Sequence, residues 1–403
     1  MDLPSALRHC WGVCSRSARR EQGRSRCSVV HAVRTTDPAA GGFVTYLQSL
    51  RRGMTDDDIE LCWEGVFPRN ANWRVLALLR PLRFLRRVRR QLETADLLHV
   101  HGVFGWHVLL SLLAARSLGR PHVVSVHGHL HPDALRERRL SKRICLAWFG
   151  RRALRRAEAV LVTAPPEREI VRRYAPQAHI VEVMPGLEVP PVPESGAVTR
   201  AGEAPGPIHV LYLGRLHPHK GLHRLIRALG EARAEGLDAE LIVAGTGSRS
   251  YRLALWLLVR GLGLRQQVRF LGHVGAGVRA RLWRRADVFA LPSRSENFGF
   301  AAAEAMAAGV PVIVSENVGL ASLVAGRGCG EVVPPENTEA LRRALLAYAD
   351  PSVRREQGRR AHEAAVEAFS LQTMGAAHGA LYRRVAGTAR GMASVRDRAP
   401  DRV

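Results

Sequence analysis

The sequence predicts an α/β protein made of two Rossmann-like domains. Three observations predict it. Short apolar runs alternate with longer amphipathic stretches, the pattern of parallel strands covered by helices. That alternation stops once, at residues 189–207, a Pro- and Gly-rich stretch without hydrophobic period, and then restarts. A chain of 403 residues is also long for a single hydrophobic core.

Residues 1–27 are polar and Arg-rich. They lack the apolar core of a secretory signal and read as a disordered extension. A strand is expected at 28–33, then a polar loop, then Gly41-Gly42 opening a helix over 43–52. Two glycines at a strand-to-helix turn let a ligand approach the backbone closely. A short strand follows at 59–63. Residues 74–92 form a basic amphipathic segment interrupted at Pro81, with seven arginines among Leu, Val and Phe. Two readings stand for it: contact with an anionic membrane surface, or a docked helix with a solvated basic face.

Next come a strand at 96–101, a helix at 103–118 and a strand at 121–127. His122, His127, His129 and His131 cluster here. An alternating run at a strand end gives poor metal geometry, so a single histidine aimed into a cleft is favoured, and no metal is expected. A basic helix at 137–157, a strand at 158–163, a helix at 167–174 and a strand at 179–183 complete this half. After the linker come a strand at 209–213, a loop running from Gly214 to Gly221, and a helix at 222–235. A strand at 240–244 ends in Gly245-Thr246-Gly247; a helix at 251–262, a strand at 268–271 and a helix at 278–285 follow.

The stretch from Pro292 to Val314 organises this second half. A strand at 288–291 stops at Pro292 and a polar turn carries Glu296. A helix at 301–308 carries Glu304, and a strand follows at 310–314. Loops at the carboxyl ends of strands are where open α/β sheets bind ligands. Backbone N–H groups around Gly299, between Phe298 and Phe300, suit an anion at the helix start. A last strand end at 332–335, helices at 338–348 and 353–382, and a disordered tail from 386 close the chain. The domain reading is an extension over 1–27, a first domain over 28–187 and a linker over 188–207. A second domain covers 208–365, a helix over 366–385 crosses back, and the tail covers 386–403.

Formal net charge is +24 with a pI near 11.3, which favours anionic partners. The excess is nearly all arginine; the lysines are Lys142 and Lys220. A compositional bias toward Arg explains the charge equally well. No apolar run reaches the roughly 18 residues of a membrane span. Six cysteines without C-x-x-C pairs read as reduced thiols in a cytoplasmic protein.

Three motifs then carry a resemblance. Gly214-Arg215-Leu216 with Lys220-Gly221 resembles a G-R-x-x-x-x-K-G loop. Glu296 to Glu304 resembles an E-x7-E motif, and Gly245-Thr246-Gly247 follows a strand. In this order, each at a strand end, they resemble the retaining GT-B glycosyltransferases of family 4, the glycosyl transferases group 1, over roughly residues 28–385. The resemblance implies two Rossmann-like domains facing across a cleft. It also implies transfer of a hexose from a UDP- or GDP-sugar, with no metal, to a polysaccharide or lipid-linked glycan.

Arg215 and Lys220 would grip the diphosphate, where negative charge grows in the transition state. Glu304 would hold the ribose hydroxyls and Glu296 the sugar hydroxyls. The backbone of Phe298, Gly299 and Phe300 would lie against sugar and phosphate, and Val274 near the base. Gly41 and Gly42 would let the donor phosphates close in, and His127 would stand near the sugar. The implied place of work is the cytoplasm, at the inner membrane face if residues 74–92 meet lipid. Two departures touch the acceptor side: Met184-Pro185-Gly186 stands where the family often has Pro-Asn-Gly, and residues 53–72 look abbreviated. Two other functions stay open. One is a basic nucleic-acid-associated binding protein, favoured by charge alone. The other is an inactive GT-B partner subunit.

Overall fold

The computed structural model describes residues 27–35, 42–55, 59–67, 80–136, 139–189 and 206–396. Gly41, the first 26 residues and most of the linker lie outside these. The chain divides into one unit of Met1–Gly186 with Leu371–Val403, and one of Leu187–Ser370.

The amino-terminal unit runs β1 (Cys27–Thr35), α1 (Gly42–Gly53), β2 (Ile59–Phe67), α2 (Arg80–Leu92), β3 (Leu97–His101) and α3 (Trp106–Ser117). It continues with β4 (His122–Ser125), α4 (Pro132–Arg136), α5 (Arg139–Cys145), α6 (Arg151–Arg156), β5 (Ala159–Val162), α7 (Pro165–Tyr174) and β6 (Ile180–Glu182). Its six strands are parallel in the order β2-β1-β3-β4-β5-β6. Strands β3 and β5 are buried throughout, as strands covered on both faces must be.

Helix α2 decides how the basic segment is used. Phe84, Val88 and Leu92, spaced by four, are buried in the core, at about 1.5–3 kcal/mol each. Arg83, Arg86, Arg89 and Arg90 point to solvent. The docked reading therefore holds for the apolar side, which is not free to enter a bilayer. The basic helix expected at 137–157 is interrupted: between α5 and α6 the residues Leu146–Gly150 form a π turn.

The carboxy-terminal unit runs β7 (Ile208–Leu213), a 3-10 turn at Pro218–Lys220, α8 (Leu222–Ala234), β8 (Ala239–Ala244), α9 (Arg249–Gly261), β9 (Val268–Gly272) and α10 (Ala276–Arg285). Then come β10 (Val288–Leu291), α11 (Phe300–Ala307), β11 (Val312–Ser315), α12 (Ala321–Arg327), β12 (Gly330–Val333), α13 (Thr338–Ala347) and α14 (Pro351–Ala368). These strands are also parallel, in the order β12-β11-β10-β7-β8-β9. Sequence order reverses between β7 and β10, the switch point where such sheets open a crevice. In the first sheet the reversal lies between β1 and β3.

The final helix, α15 (Leu371–Arg396), belongs to the amino-terminal unit. Four expectations change here. The long helix expected at 353–382 is two helices, broken where Phe369 is fully buried and its carbonyl accepts from the Leu187 N–H at 2.8 Å. The tail expected to be disordered from 386 is helical to Arg396, anchored by buried Val385 and Ala386. Helix α12, seven residues with Gly326 inside it, was too short to show a period. Cys27 already sits in β1, and Cys62 on β2 is disulfide-bonded, so the six thiols are not all free.

Candidate active site

Strands β7 and β10 are parallel neighbours, so the loops after them leave side by side. Backbone contacts join the two loops. The Arg294 N–H donates to His219 O at 2.7 Å, and the guanidinium of Arg224, on α8, donates to Pro292 O at 3.0 Å. Gly221 has φ +73°, and a Cβ there would lie 2.1 Å from Pro292 O. A glycine is what lets the loops meet. The result is a contact no single segment could make: Lys220 Nζ donates to Glu296 Oε2, each side chain about one-fifth exposed. Glu296 is itself held by its backbone, donating to Asn317 O and accepting from the Gly319 N–H, both at 3.0 Å. Burial and the neighbouring Arg215 cation push the Lys220 ammonium down to about 8, while the touching carboxylate of Glu296 works the other way. Arg215 is exposed, and its carbonyl accepts from Tyr212 Oη at 3.0 Å.

Gly214 and Gly245 serve the same edge. Gly214 N–H donates to Ala244 O, and a Cβ on Gly245 would sit 1.8 Å from Gly214 O. Here the close approach of the neighbouring loop requires the glycine. Val274 is half-buried just past β9, at the edge of the sheet.

Helix α11 starts at Gly299, φ +96°, with no side-chain cap, so its first-turn N–H groups lack an intrahelical partner. Phe298 is buried between Phe300 and Phe369, with ring centroids 5.0 and 5.8 Å away. Its side chain is core. Glu304 lies 3.3 Å from Arg279, yet its Oε2 is buried and has no hydrogen-bond partner among the described residues. Burial raises the Glu304 carboxyl above its ordinary value, partly offset by Arg279 and Trp283. A buried carboxylate oxygen without a donor is costly, by about 1–3 kcal/mol, unless a ligand supplies one.

In the amino-terminal unit Gly42 is the first residue of α1. His127 follows β4 in the left-handed region, φ +52°, uncommon for a residue with a Cβ. Phe43 and Tyr46 stand edge-on to its ring at 5.1 and 4.7 Å. Burial, with His129 and His378 nearby, pushes it down to about 3. Glu167, which the sequence reading did not single out, holds the turn: it accepts from the N–H groups of Gly128 and Thr163. The four clustered histidines do not converge. His122 meets Ala153 O, His129 the Val103 N–H, and His131 the Asp133 N–H. A different set gathers instead: His31, His99, His101, His127 and His378, on two strands, the loop after β4 and a helix. The H-x-H at 99 and 101 inside a buried run was the available signal.

The chain resembles known proteins over nearly its full length. Residues 199–364 match the family described as "Glycosyl transferases group 1", and residues 10–186 match "Glycosyl transferase 4-like domain". The chain belongs to the group 1 glycosyltransferases. It is 29% identical over 335 residues to the alpha-D-kanosaminyltransferase of Streptomyces kanamyceticus, covering 80% of this chain and 85% of that one. It is 31% identical over 304 residues to the D-inositol 3-phosphate glycosyltransferase of Streptomyces avermitilis, covering 71% and 65%.

Among solved structures, sucrose-phosphate synthase from Thermosynechococcus elongatus aligns at a TM-score of 0.76 and 22% identity, over 90% of this chain and all of that one. Anabaena HepE in complex with UDP and glucose aligns at 0.70 and 18%, over 89% of this chain and all of that one. The fold is GT-B, and the glycosyltransferase transfers sugar from a nucleotide sugar. Among the described residues no helix is long and apolar enough to cross a membrane.

Proposed function

We propose that this glycosyltransferase works with retention, moving a hexose from a UDP- or GDP-sugar to a polysaccharide or lipid-linked glycan. The observation that carries the reading is the Lys220–Glu296 pair with exposed Arg215 beside it, at the switch point of the carboxy-terminal sheet. Of the two nucleotides UDP is favoured, because the structural neighbour HepE was solved with UDP and glucose. In this scheme Arg215, Lys220 and the open start of α11, through the backbone of Phe298, Gly299 and Phe300, hold the diphosphate. Glu304 Oε2 accepts from a ribose hydroxyl, and Glu296 from the sugar. The glycosidic carbon–oxygen bond to phosphate breaks and the charge left on the diphosphate meets fixed cations. The acceptor oxygen bonds to the same face of the sugar carbon, and its proton passes to the departing phosphate oxygen. Positive charge comes from side chains, so the scheme calls on no metal. The base would lie toward Val274. His127 serves the sugar.

A panel of UDP-, GDP-, ADP- and TDP-sugars in a thermal-shift assay tests it. A bound donor at 100 times its Kd adds about 2.7 kcal/mol. A shift with UDP- or GDP-sugar is expected; no shift with any of them overturns the reading.

A lipid-linked acceptor has separate support. Leu140, Ile144 and Trp148 are 74%, 55% and 80% exposed at four-residue intervals, beside Arg143, Arg151 and Arg152. An apolar stripe edged with arginine, together with the arginine face of α2, fits an anionic membrane surface at the cytoplasmic face. No nucleic-acid partner enters this reading. Salt-sensitive flotation with anionic vesicles is expected. The Trp148→Ser variant with Arg83, Arg86, Arg89 and Arg90 changed to Gln should lose it, and unchanged flotation would remove the membrane from the scheme.

A further inference from the structure

One face of the amino-terminal sheet is lined with histidine. His31 on β1 stands opposite His99 on β3, and His101 opposite Ser125 on β4. Side chains two apart on a strand share a face, so these groups stand together. Tyr46 of α1 and His378 and Tyr382 of α15 lie against them. His31, His99 and His101 bring ring nitrogens within 4.8 Å of one another, close enough for a metal ion. The hydrogen bonds point elsewhere. His99 is engaged at both nitrogens, by Tyr382 Oη and Ser125 Oγ, each at 2.7 Å. His101 is engaged at both as well, Nε2 to His31 Nδ1 and Nδ1 to His127 Nε2, each at 2.9 Å.

His31, His101 and His127 thus form one chain of three imidazoles. Burial lowers all three, so each is neutral near pH 7 and carries one N–H. Only two arrangements satisfy both links. In the first, every proton sits on Nδ1: His31 donates to His101, His101 donates to His127, and His127 Nδ1–H has no partner among the described residues. In the second, every proton sits on Nε2 and the donation runs backward, which buries an N–H at His31. His31 Nε2 is fully buried without a partner in either case. An orphaned buried N–H is rarer in proteins than an under-used acceptor, so the first arrangement is favoured. The chain also ends blind at His31, so it cannot deliver a proton to solvent.

We propose that His101 and His31 are positioning residues that lock His127 as the Nδ1–H tautomer, making it a hydrogen-bond donor toward a substrate oxygen. The statement that this oxygen belongs to the sugar or its phosphate rests on the function proposed above. A His127 so held donates to a hydroxyl or phosphate oxygen and does not remove the acceptor's proton.

Long-range proton–nitrogen correlation spectra of histidine-labelled protein at pH 7 read the tautomers directly, with His127→Gln to assign the signal. His127 should show a protonated Nδ1 and an unprotonated Nε2. His101→Leu, which keeps bulk and removes the donor, should mix the tautomers of His127 and lower kcat/KM about tenfold, the worth of one hydrogen bond. His101→Asn places an amide N–H near the lost Nδ1–H and should restore most of both. A proton on Nε2 of His127 in the unaltered protein overturns the lock, even if His101→Leu fails to fold. So does an unchanged tautomer in a folded His101→Leu. Tautomers as expected, in a protein that turns over no nucleotide sugar, would leave the lock standing and overturn the function instead.

Discussion

The two units solve the same construction problem in opposite ways. Each is a six-stranded parallel sheet with one switch point. The amino-terminal unit takes polar groups into its interior and links many of them to one another: five buried or nearly buried histidines, two tyrosines and a serine. His31 Nε2, His107 Nε2 and Ser111 Oγ have no partner among the described residues. The carboxy-terminal unit keeps its sheet core apolar, from Val210 and Tyr212 to Leu241, Val288 and Ile313. Its Lys220–Glu296 pair stands on loops at the strand ends, and among the described residues Glu304 Oε2 and Ser293 Oγ are buried without a partner. In the first unit, part of the hydrogen-bonding capacity, the His31–His101–His127 chain, ends on His127. In the second it remains available to a ligand. The contrast supports the proposed placing of the donor on the loops of the second unit, where Lys220 meets Glu296.

The largest effect expected from this contrast is acid sensitivity concentrated in one unit, since in the other His223 is lowered but only partly buried. Burial holds His31, His99 and His101 well below the ordinary histidine value, His127 at about 3 and His378 at about 4. A base with a lowered folded pKa binds its proton more readily when unfolded. Its contribution to stability is therefore present above about 6.5 and is lost as pH falls below that value. At pH 5.5 each contributes a loss of about 1.4 kcal/mol, roughly 7 kcal/mol for five as an upper bound. Pulse-labelled hydrogen exchange after incubation at pH 7.5 and 5.5 should show β1, β3 and α15 opening first. If the carboxy-terminal strands open first, the division of labour between the units is wrong.

The second test attacks the other side. Lys220→Ala should cut turnover by roughly 100- to 1,000-fold, about 3–4 kcal/mol, as removal of a fixed positive partner for a developing anion does. Folding should survive, because the lysine's main contact is Glu296 on a loop. Binding of the nucleotide sugar by the unaltered protein should weaken as pH rises through about 8, where the ammonium loses its proton. Isothermal titration at pH 7 and 9 checks the sign, and affinity rising with pH would remove Lys220 from phosphate binding.

How much of this was readable in the sequence also differs between the units. The second unit was nearly transparent. Its strands are short apolar runs closed by Gly or Pro, and Lys220, Glu296 and Glu304 lie in motifs whose chemistry needs those residue types. The local pattern could not reveal that Gly221 and Gly245 are required by neighbouring loops, since those contacts join segments far apart in the chain. The first unit hid its design. His31, His99 and His378 are separated by up to 347 positions, and what gathers them is strand register and the return of α15. Periodicity sees a histidine in an apolar run as an interruption, and proximity along the chain suggested the cluster at 122–131, which the fold disperses. Trp148 was likewise invisible: its large exposed ring follows from what packs against the helix, which the local pattern does not carry.

The smallest effect sharpens the contrast most, because its two readouts move in opposite directions. Glu304→Gln removes a buried charge whose Oε2 has no donor among the described residues. Burial raises this carboxyl, so its charged form costs stability, a penalty absent below about 4.5 and growing as pH rises. The variant should therefore be slightly more stable than the unaltered protein at pH 7, by about 1 kcal/mol. It should also lack that pH-dependent loss. With nucleotide sugar present the order should reverse, since the charged oxygen is a better acceptor for ribose hydroxyls than an amide, by about 1–2 kcal/mol. Melting curves with and without donor, at pH 5 and 7, give all four values. A Glu304→Gln protein that is less stable alone and binds donor equally well would show the carboxylate to be structural, like the paired groups of the first unit. An oxygen that is costly when empty and useful when filled is the mark of a site kept open for a ligand.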